Sequence, residues 1–239
     1  MKKIIGCCFS IFFILFSCDS TQKKSIQTNQ AAKTATFILN GTLTDYLSDK
    51  VYLNKIENCT FYPVDSVTIV NNKFIFEGAV EYPERFALTF ENYSAIVVFI
   101  LENTHFEIEI DPVHIQDAII KDSPLNLQLN EYKTHSKNIF KKIDYLFPQF
   151  QKARLENDVN KLAEIGGKMK LIEAEFRTFS FDFIKNNSNS YVSGMVLRDQ
   201  LKSSTIDTLQ IISAYKSLST NVKKAPEAQI IKQTLVISH

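Results

Sequence analysis

The sequence predicts an α+β fold: an antiparallel β-sandwich or partly open barrel over residues 36–122, then an α-helical domain over 123–239 with a long antiparallel helical hairpin. Three observations predict it. Between Thr36 and Lys121, short runs of β-branched and aromatic residues recur between Asn, Asp, Gly and Pro. After Asp122-Ser123-Pro124 the apolar period changes from two residues to about three and a half. The stretch from Pro63 to Val80 reads as a β-hairpin whose two-residue turn is Asn71-Asn72, because Asn tolerates the positive φ that such turns require. That turn would set Ile69 opposite Phe74 and Val67 opposite Phe76 on one apolar face.

In chain order, residues 1–17 form the first element. Lys2 and Lys3 precede an apolar run from Ile4 to Phe16, and Leu15-Phe16-Ser17 leads into Cys18. The stretch resembles the leader of bacterial lipoproteins, which implies cleavage after Ser17 and a lipid on Cys18. Ile4-Ile5-Gly6-Cys7 fits the cleavage box locally, but no apolar run precedes it. The run is also shorter than the roughly 20 residues that span a bilayer. Residues 18–35, rich in Ser, Thr, Gln, Asn and Lys, read as a flexible tether.

The remainder is long enough for one large domain or two modules with their own cores. Of 27 basic residues, loss of Lys2 and Lys3 leaves 25 against 26 acidic ones, a net charge of −1. That balance, with no basic tract carrying interleaved aromatics, argues against nucleic acid as a partner. Once Cys18 carries lipid, Cys59 is the one remaining thiol, so the fold rests on its core rather than on a disulfide. With no cationic neighbour in sequence to lower its pKa, Cys59 reads as a strand-edge or loop residue.

Strands are expected near 36–43, 50–56, 64–70, 73–80, 85–91, 95–101, 105–111 and 117–121. Phe106, Ile108 and Ile110 alternate with Glu107 and Glu109, as in a strand with one wet face. Ala95 to Leu101 is apolar throughout and is expected to lie centrally. Gly78 suggests a bulge, and Pro63 opens its strand. Leu129, Tyr132, Ser136, Ile139, Ile143, Leu146 and Phe150 then make one helical stripe. Leu162, Ile165, Met169, Ile172, Phe176, Phe179 and Phe183 make a second. A polar link near Glu156 to Asp158 makes the two helices antiparallel neighbours. Pro148 should kink or break the first, and Gly166-Gly167 marks a hinge or a close approach in the second. Further helices are expected near 189–201, capped by Ser190 or Asn189, near 205–218, capped by Thr205 or Ser204, and near 226–237, opened by Pro226.

The histidines at 105, 114, 135 and 239 have no metal-like spacing with one another or with Cys59. No glycine-rich phosphate loop or paired acid and base stands out. No catalytic, cofactor-binding or metal-binding residue is nominated, no cofactor is expected, and Cys18 is the one residue assigned a role.

The strand motifs Asn40-Gly41-Thr42-Leu43, Val51-Tyr52-Leu53, Asp65-Ser66-Val67, Asn72-Lys73-Phe74-Ile75-Phe76-Glu77-Gly78, Tyr82-Pro83 and Phe99-Ile100-Leu101-Glu102 resemble one family. It is the N-terminal domain of unknown function found in lipid-anchored thiol:disulfide interchange proteins. The segment from Ser123 to Leu235, with Asn187-Ser188-Asn189-Ser190-Tyr191, resembles the helical segment that follows in that family. The resemblance implies a thioredoxin-like domain beyond it, with a Trp-Cys-x-x-Cys redox motif. This sequence has no Trp and no second Cys near Cys59, so no catalytic residue carries over.

The expected function is a non-catalytic, lipid-anchored envelope protein that binds or interacts. The alternative is the accessory or truncated half of a thiol:disulfide oxidoreductase with a separately encoded thioredoxin-like partner. The expected location is the bacterial envelope, with the outer membrane favoured, facing the periplasm or the cell surface.

Overall fold

The computed structural model describes residues 36–57, 60–202 and 207–235. The leader, the tether, Cys18, Cys59 and His239 lie outside the described residues. The eight strands are β1 (Phe37–Leu43), β2 (Lys50–Glu57), β3 (Thr60–Thr68), β4 (Lys73–Gly78), β5 (Glu84–Phe90), β6 (Tyr93–Leu101), β7 (His105–Ile110) and β8 (Ile119–Lys121). They form two four-stranded sheets, ordered β4-β1-β7-β8 and β3-β2-β5-β6.

These sheets make a sandwich and not a closed barrel. Phe37, Leu39, Phe74, Phe76, Phe106 and Ile108 of one sheet share a core with Val51, Leu53, Leu88, Val97, Phe99 and Leu101 of the other. Each strand contributes alternate residues, as a sheet with one inward face must. The second sheet is antiparallel, as expected, whereas the first is mixed because β1 and β7 run parallel. Their register sets Leu39 against Phe106 and Gly41 against Ile108, so both inward faces coincide.

The Asn71-Asn72 turn forms, with φ of 52° and 59°, and reciprocal bonds of 2.9 and 3.0 Å join Val70 and Lys73. The long hairpin predicted around it does not. Beyond that single bridge the chain divides: β4 pairs with β1, placing Phe74 beside Gly41 and Phe76 beside Leu39, while β3 pairs with β2, placing Val67 beside Val51. The two arms thus enter the core from opposite sheets, and each finds an apolar neighbour it could not have had in a flat hairpin. Gly41 is required by this arrangement, since a Cβ there would lie 1.9 Å from the Phe74 ring. Gly78 is no bulge. It makes room for Phe37, whose ring would stand 2.9 Å from an added Cβ. The register shifts lie instead at Leu53/Asn54 and Thr89/Phe90. Pro63 sits within β3 rather than opening it, and is tolerated because β3 is an edge strand.

β6 is likewise at an edge, not at the centre. Its apolar run is explained by two cores: Val97, Phe99 and Leu101 face the sandwich, and Ile100 faces the helices.

Those helices are α1 (Pro124–Leu155), α2 (Val159–Asn186), α3 (Tyr191–Gln200), α4 (Thr208–Ser217), α5 (Thr220–Lys224) and α6 (Pro226–Thr234). α1 and α2 form the predicted hairpin. Ile139, Ile143, Leu146, Phe150 and Ala153 meet Leu162, Ile165, Met169, Ile172 and Phe176 at alternating spacings of four and three, the seam of an antiparallel coiled coil. Asp158 caps α2 by accepting from the Lys161 amide at 2.9 Å. α1 runs unbroken through Pro148, because seam packing on both sides of it offsets the lost backbone bond. At Gly166 and Gly167 an added Cβ would meet nothing within 4 Å, so neither glycine serves a close approach. Ser190 caps α3 as expected, but Asp207 rather than Thr205 or Ser204 caps α4. The short α5 was not anticipated.

Candidate functional site at the junction of sandwich and helices

The densest chemistry lies where the outer face of the β3-β2-β5-β6 sheet meets α1, α3 and α6. It starts at the free edge of β6. The side-chain amide of Asn126, in the first turn of α1, accepts from the Ile100 amide at 2.8 Å and donates to the Ile100 carbonyl at 2.7 Å. It thereby takes the place of a neighbouring strand. The sequence positions it through Ser123, the α1 cap, whose hydroxyl accepts from the Asn126 side chain at 2.7 Å and from its backbone at 3.3 Å. Ser123 in turn donates to Glu102, which also accepts from the Leu125 amide at 3.0 Å. Asn126 is 5 % exposed, and every polar atom of its amide is used.

The second part is ionic. Arg85 on β5 projects from the outer face and donates to both oxygens of Asp199 on α3, at 2.9 and 2.7 Å, a bidentate pair. Its Nε lies 3.8 Å from Glu227 of α6, which also accepts from Arg198 of α3. Burial works against the Arg85 charge, but Asp199 and Glu227 more than offset it and leave its pKa raised. One residue earlier, burial pushes the Glu84 carboxyl up, and Lys55 at 3.3 Å offsets part of that. The arrangement joins two strands to two helices by paired charges.

Beside it runs a groove of about 410 Å³ between α1, β6 and the segment from Gln116 to Ile120. Lys133, Lys137, Asn130, Thr134, Val98 and Asp117 line it. Burial, and then the Arg85 charge, lower the pKa of Lys133, with Asp199 acting in the opposite sense. On the other side of the junction, an open cleft of about 800 Å³ gathers Pro83, Glu102, Gln128 and the residues from Asn187 to Tyr191. Motif residues far apart in sequence therefore meet there, tied by the bond from Gln128 to Asn187 at 3.0 Å.

The sequence nominated none of these residues. Cys18 and Cys59, which it did single out, lie outside the described residues. His105 contacts Asn40 at 2.7 Å, His114 contacts Asp111 at 3.0 Å, and His135 stacks on Phe179 with centroids 4.3 Å apart. The structure does not bring the three together. Among the described residues no group of three or more His, Cys, Asp or Glu side chains could hold a metal ion, and no helix is long and apolar enough to cross a membrane. Sequence reading missed Asn126 because a Ser-Pro-Leu-Asn helix start is an ordinary one. It missed Arg85 because its partner Asp199 is 114 residues away.

A family model described as a domain of unknown function, DUF4369, matches residues 37–129. The match runs from β1 into the first turns of α1 and so includes Ser123 and Asn126 with the sandwich they close. No curated protein matches the chain.

Proposed function

We propose that this chain is a non-catalytic binding or interaction module, carried in the bacterial cell envelope by a lipid on Cys18. The observation that supports this reading is the junction itself. Arg85, Arg198, Asp199 and Glu227 are engaged with one another across three elements, and Asn126 with Ile100, so the buried polar chemistry serves to fix a scaffold on which a binding surface can be displayed. The α1–α2 arm adds such surface: its distal seam draws on α1 and α2 alone, and Tyr145, Phe147, Leu155 and Leu171 stand exposed along it.

A second reading, the accessory half of a thiol:disulfide oxidoreductase, is favoured by the resemblance of the strand motifs and of Asn187–Tyr191 to the interchange proteins. Insulin reduction in dithiol-free buffer separates the two. An exchange cycle needs an attacking and a resolving thiol, and with the leader cleaved and Cys18 lipidated, as proposed, the chain would retain Cys59 alone. The module reading expects no turnover. A one-to-one adduct at Cys59 with a thioredoxin-like chain supports the accessory reading, and multiple turnovers lost in Cys59→Ser overturn both. The anchor is tested by detergent-phase partitioning, where wild type should enter the detergent phase and Cys18→Ser should not.

A further inference from the structure

The bonds at Ile100 fix which β6 backbone groups face outward. In an antiparallel ladder, residues alternate between bonding the neighbouring strand and bonding away from it. Both backbone groups of Ile100 go to Asn126, so its pair with Arg85 is a non-bonded one, and so are the pairs of Val98 with Ala87 and Ile96 with Thr89. The bond from the Glu91 amide to the Lys50 carbonyl at 3.0 Å agrees, since it directs the same set of β5 residues toward β2. Val98 therefore turns its amide and carbonyl to the free edge, where the groove opens, and among the described residues no bond reaches them. Its side chain is 42 % exposed on the outer face.

The same groove carries an imbalance of charge. Lys133 and Lys137 line it, whereas the nearby Asp199 and Glu227 lie outside its lining and are held by Arg85 and Arg198. Lys133 forms no salt bridge within 4 Å among the described residues, nor does Lys137 one helical turn on. Asp117 on the opposite wall is the one carboxylate lining the groove. Lys133 and Val98 line the same groove, so a strand laid along β6 would direct the side chain opposite Val98 toward Lys133.

From these placements we infer that the groove between β6 and α1 takes an extended peptide segment of a protein partner, pairing its backbone with Val98 and setting an Asp or Glu against Lys133. This rests on the reading of the chain as a binding module and names its site and the chemistry of its ligand. Backbone pairing supplies contacts for any extended chain, and the lysine selects among them. Asn126 at one end and the segment from Ile115 to Asp117 at the other limit the open edge to a few residues, so the motif is short.

The test is a randomised dodecapeptide phage library panned on the full-length chain in detergent micelles, with Lys133→Glu as a second target. The expected result is a selected pool rich in β-branched residues around an Asp or Glu, slowed hydrogen exchange at the Val98 amide on binding, and an affinity about tenfold weaker for Lys133→Glu. Lys133 is partly exposed at the wall of the groove, so this variant should fold, which circular dichroism checks. A pool without acidic enrichment, peptides held equally by Lys133→Glu, protection elsewhere than Val98, or no selection at all would each overturn the groove assignment. None of these bears on the insulin assay, which tests the module reading independently.

Discussion

Asn126 grips Ile100 by both backbone groups, at 2.8 and 2.7 Å, and so ends the β6 edge with a side chain in place of a strand. Ile100 is fully buried, which leaves no water to replace the amide. Asn126→Ala should therefore destabilise by about 2–4 kcal/mol, the cost of two buried backbone groups left unpaired. Asn126→Asp should be worse at neutral pH than at low pH. It keeps the acceptor but turns a carboxylate toward the Ile100 carbonyl, which raises its folded pKa. The stability that the protonated form provides is present below the unfolded pKa and lost as pH rises through the folded one. Urea midpoints at two pH values check both statements, and an unchanged midpoint for Asn126→Ala would remove Asn126 from the account of the edge.

In the ionic network, burial ranks the carboxylates. The Glu227 side chain is 8 % exposed and faces two arginines, whereas that of Asp199 is 44 % exposed. Glu227→Met leaves Arg85 and Arg198 with their shared counterion gone, at a cost of about 2–4 kcal/mol. Asp199→Ala leaves Arg85 near Glu227 and costs about 1 kcal/mol or less, because solvent already screens that pair. Denaturation of both variants gives the order, and a larger loss in Asp199→Ala would reverse it.

Much of this fold is legible in the sequence where the signal is local. Alternation in Phe106, Ile108 and Ile110 locates β7, the four-three spacing from Ile139 to Phe150 locates the α1 seam, and Ser190 announces α3 by capping it. What sequence does not reveal is decided at a distance. Two asparagines with positive φ close the same turn whether the flanking strands then pair or part, and the parting is settled by Phe74 meeting Gly41 across the chain. An apolar run such as Val97 to Leu101 says that both faces are covered, but not that the second cover is a helical domain on an edge strand. The junction was illegible for the same reason: Arg85 and Asp199 become partners only once the helices pack on the sheet.

Gly166 and Gly167 lie inside α2 with open space where a Cβ would go. Gly loses more backbone entropy than Ala in a helix interior, so Gly166→Ala and Gly167→Ala should each stabilise by up to about 1 kcal/mol. Thermal melts of the single and double variants measure the gain. Destabilisation by either would show that the arm needs a bend at this point.

Glu164 is held by two lysines, accepting from Lys168 at 2.7 Å and Lys161 at 2.9 Å, and these bonds pull its pKa down from 4.5 to about 2. A lowered carboxyl pKa adds stability above the unfolded value and loses it as pH falls through the folded one, so any contribution disappears between about pH 4.5 and 2. The group is fully exposed, and salt must weaken the effect. Carbon-detected NMR titration of Glu164 should show a midpoint well below the ordinary glutamate value, rising in 1 M salt and in Lys168→Met. A midpoint indifferent to both changes would mean that the lysines do not hold it.

The Asn71-Asn72 turn makes the last prediction, and the division of its strands sharpens it. Both residues carry positive φ, which Gly adopts freely and a β-branched residue resists. Asn72→Gly should be neutral or slightly stabilising, and Asn72→Val should cost about 1–2 kcal/mol. If the turn set the register of a hairpin, Asn72→Val would also let the flanking strands slip. It joins two sheets instead, and β4 is held in register by β1 through Leu39 with Phe76 and Gly41 with Phe74, while β3 is held by β2 through Val51 with Val67. The valine variant should therefore unfold at lower urea yet keep the native cross-strand contacts of Phe76 with Leu39 and of Val67 with Val51. Midpoints and NOEs from one labelled sample test both halves. Lost or shifted contacts in a folded Asn72→Val protein would mean that the corner, and not the sheets on either side, sets the pairing.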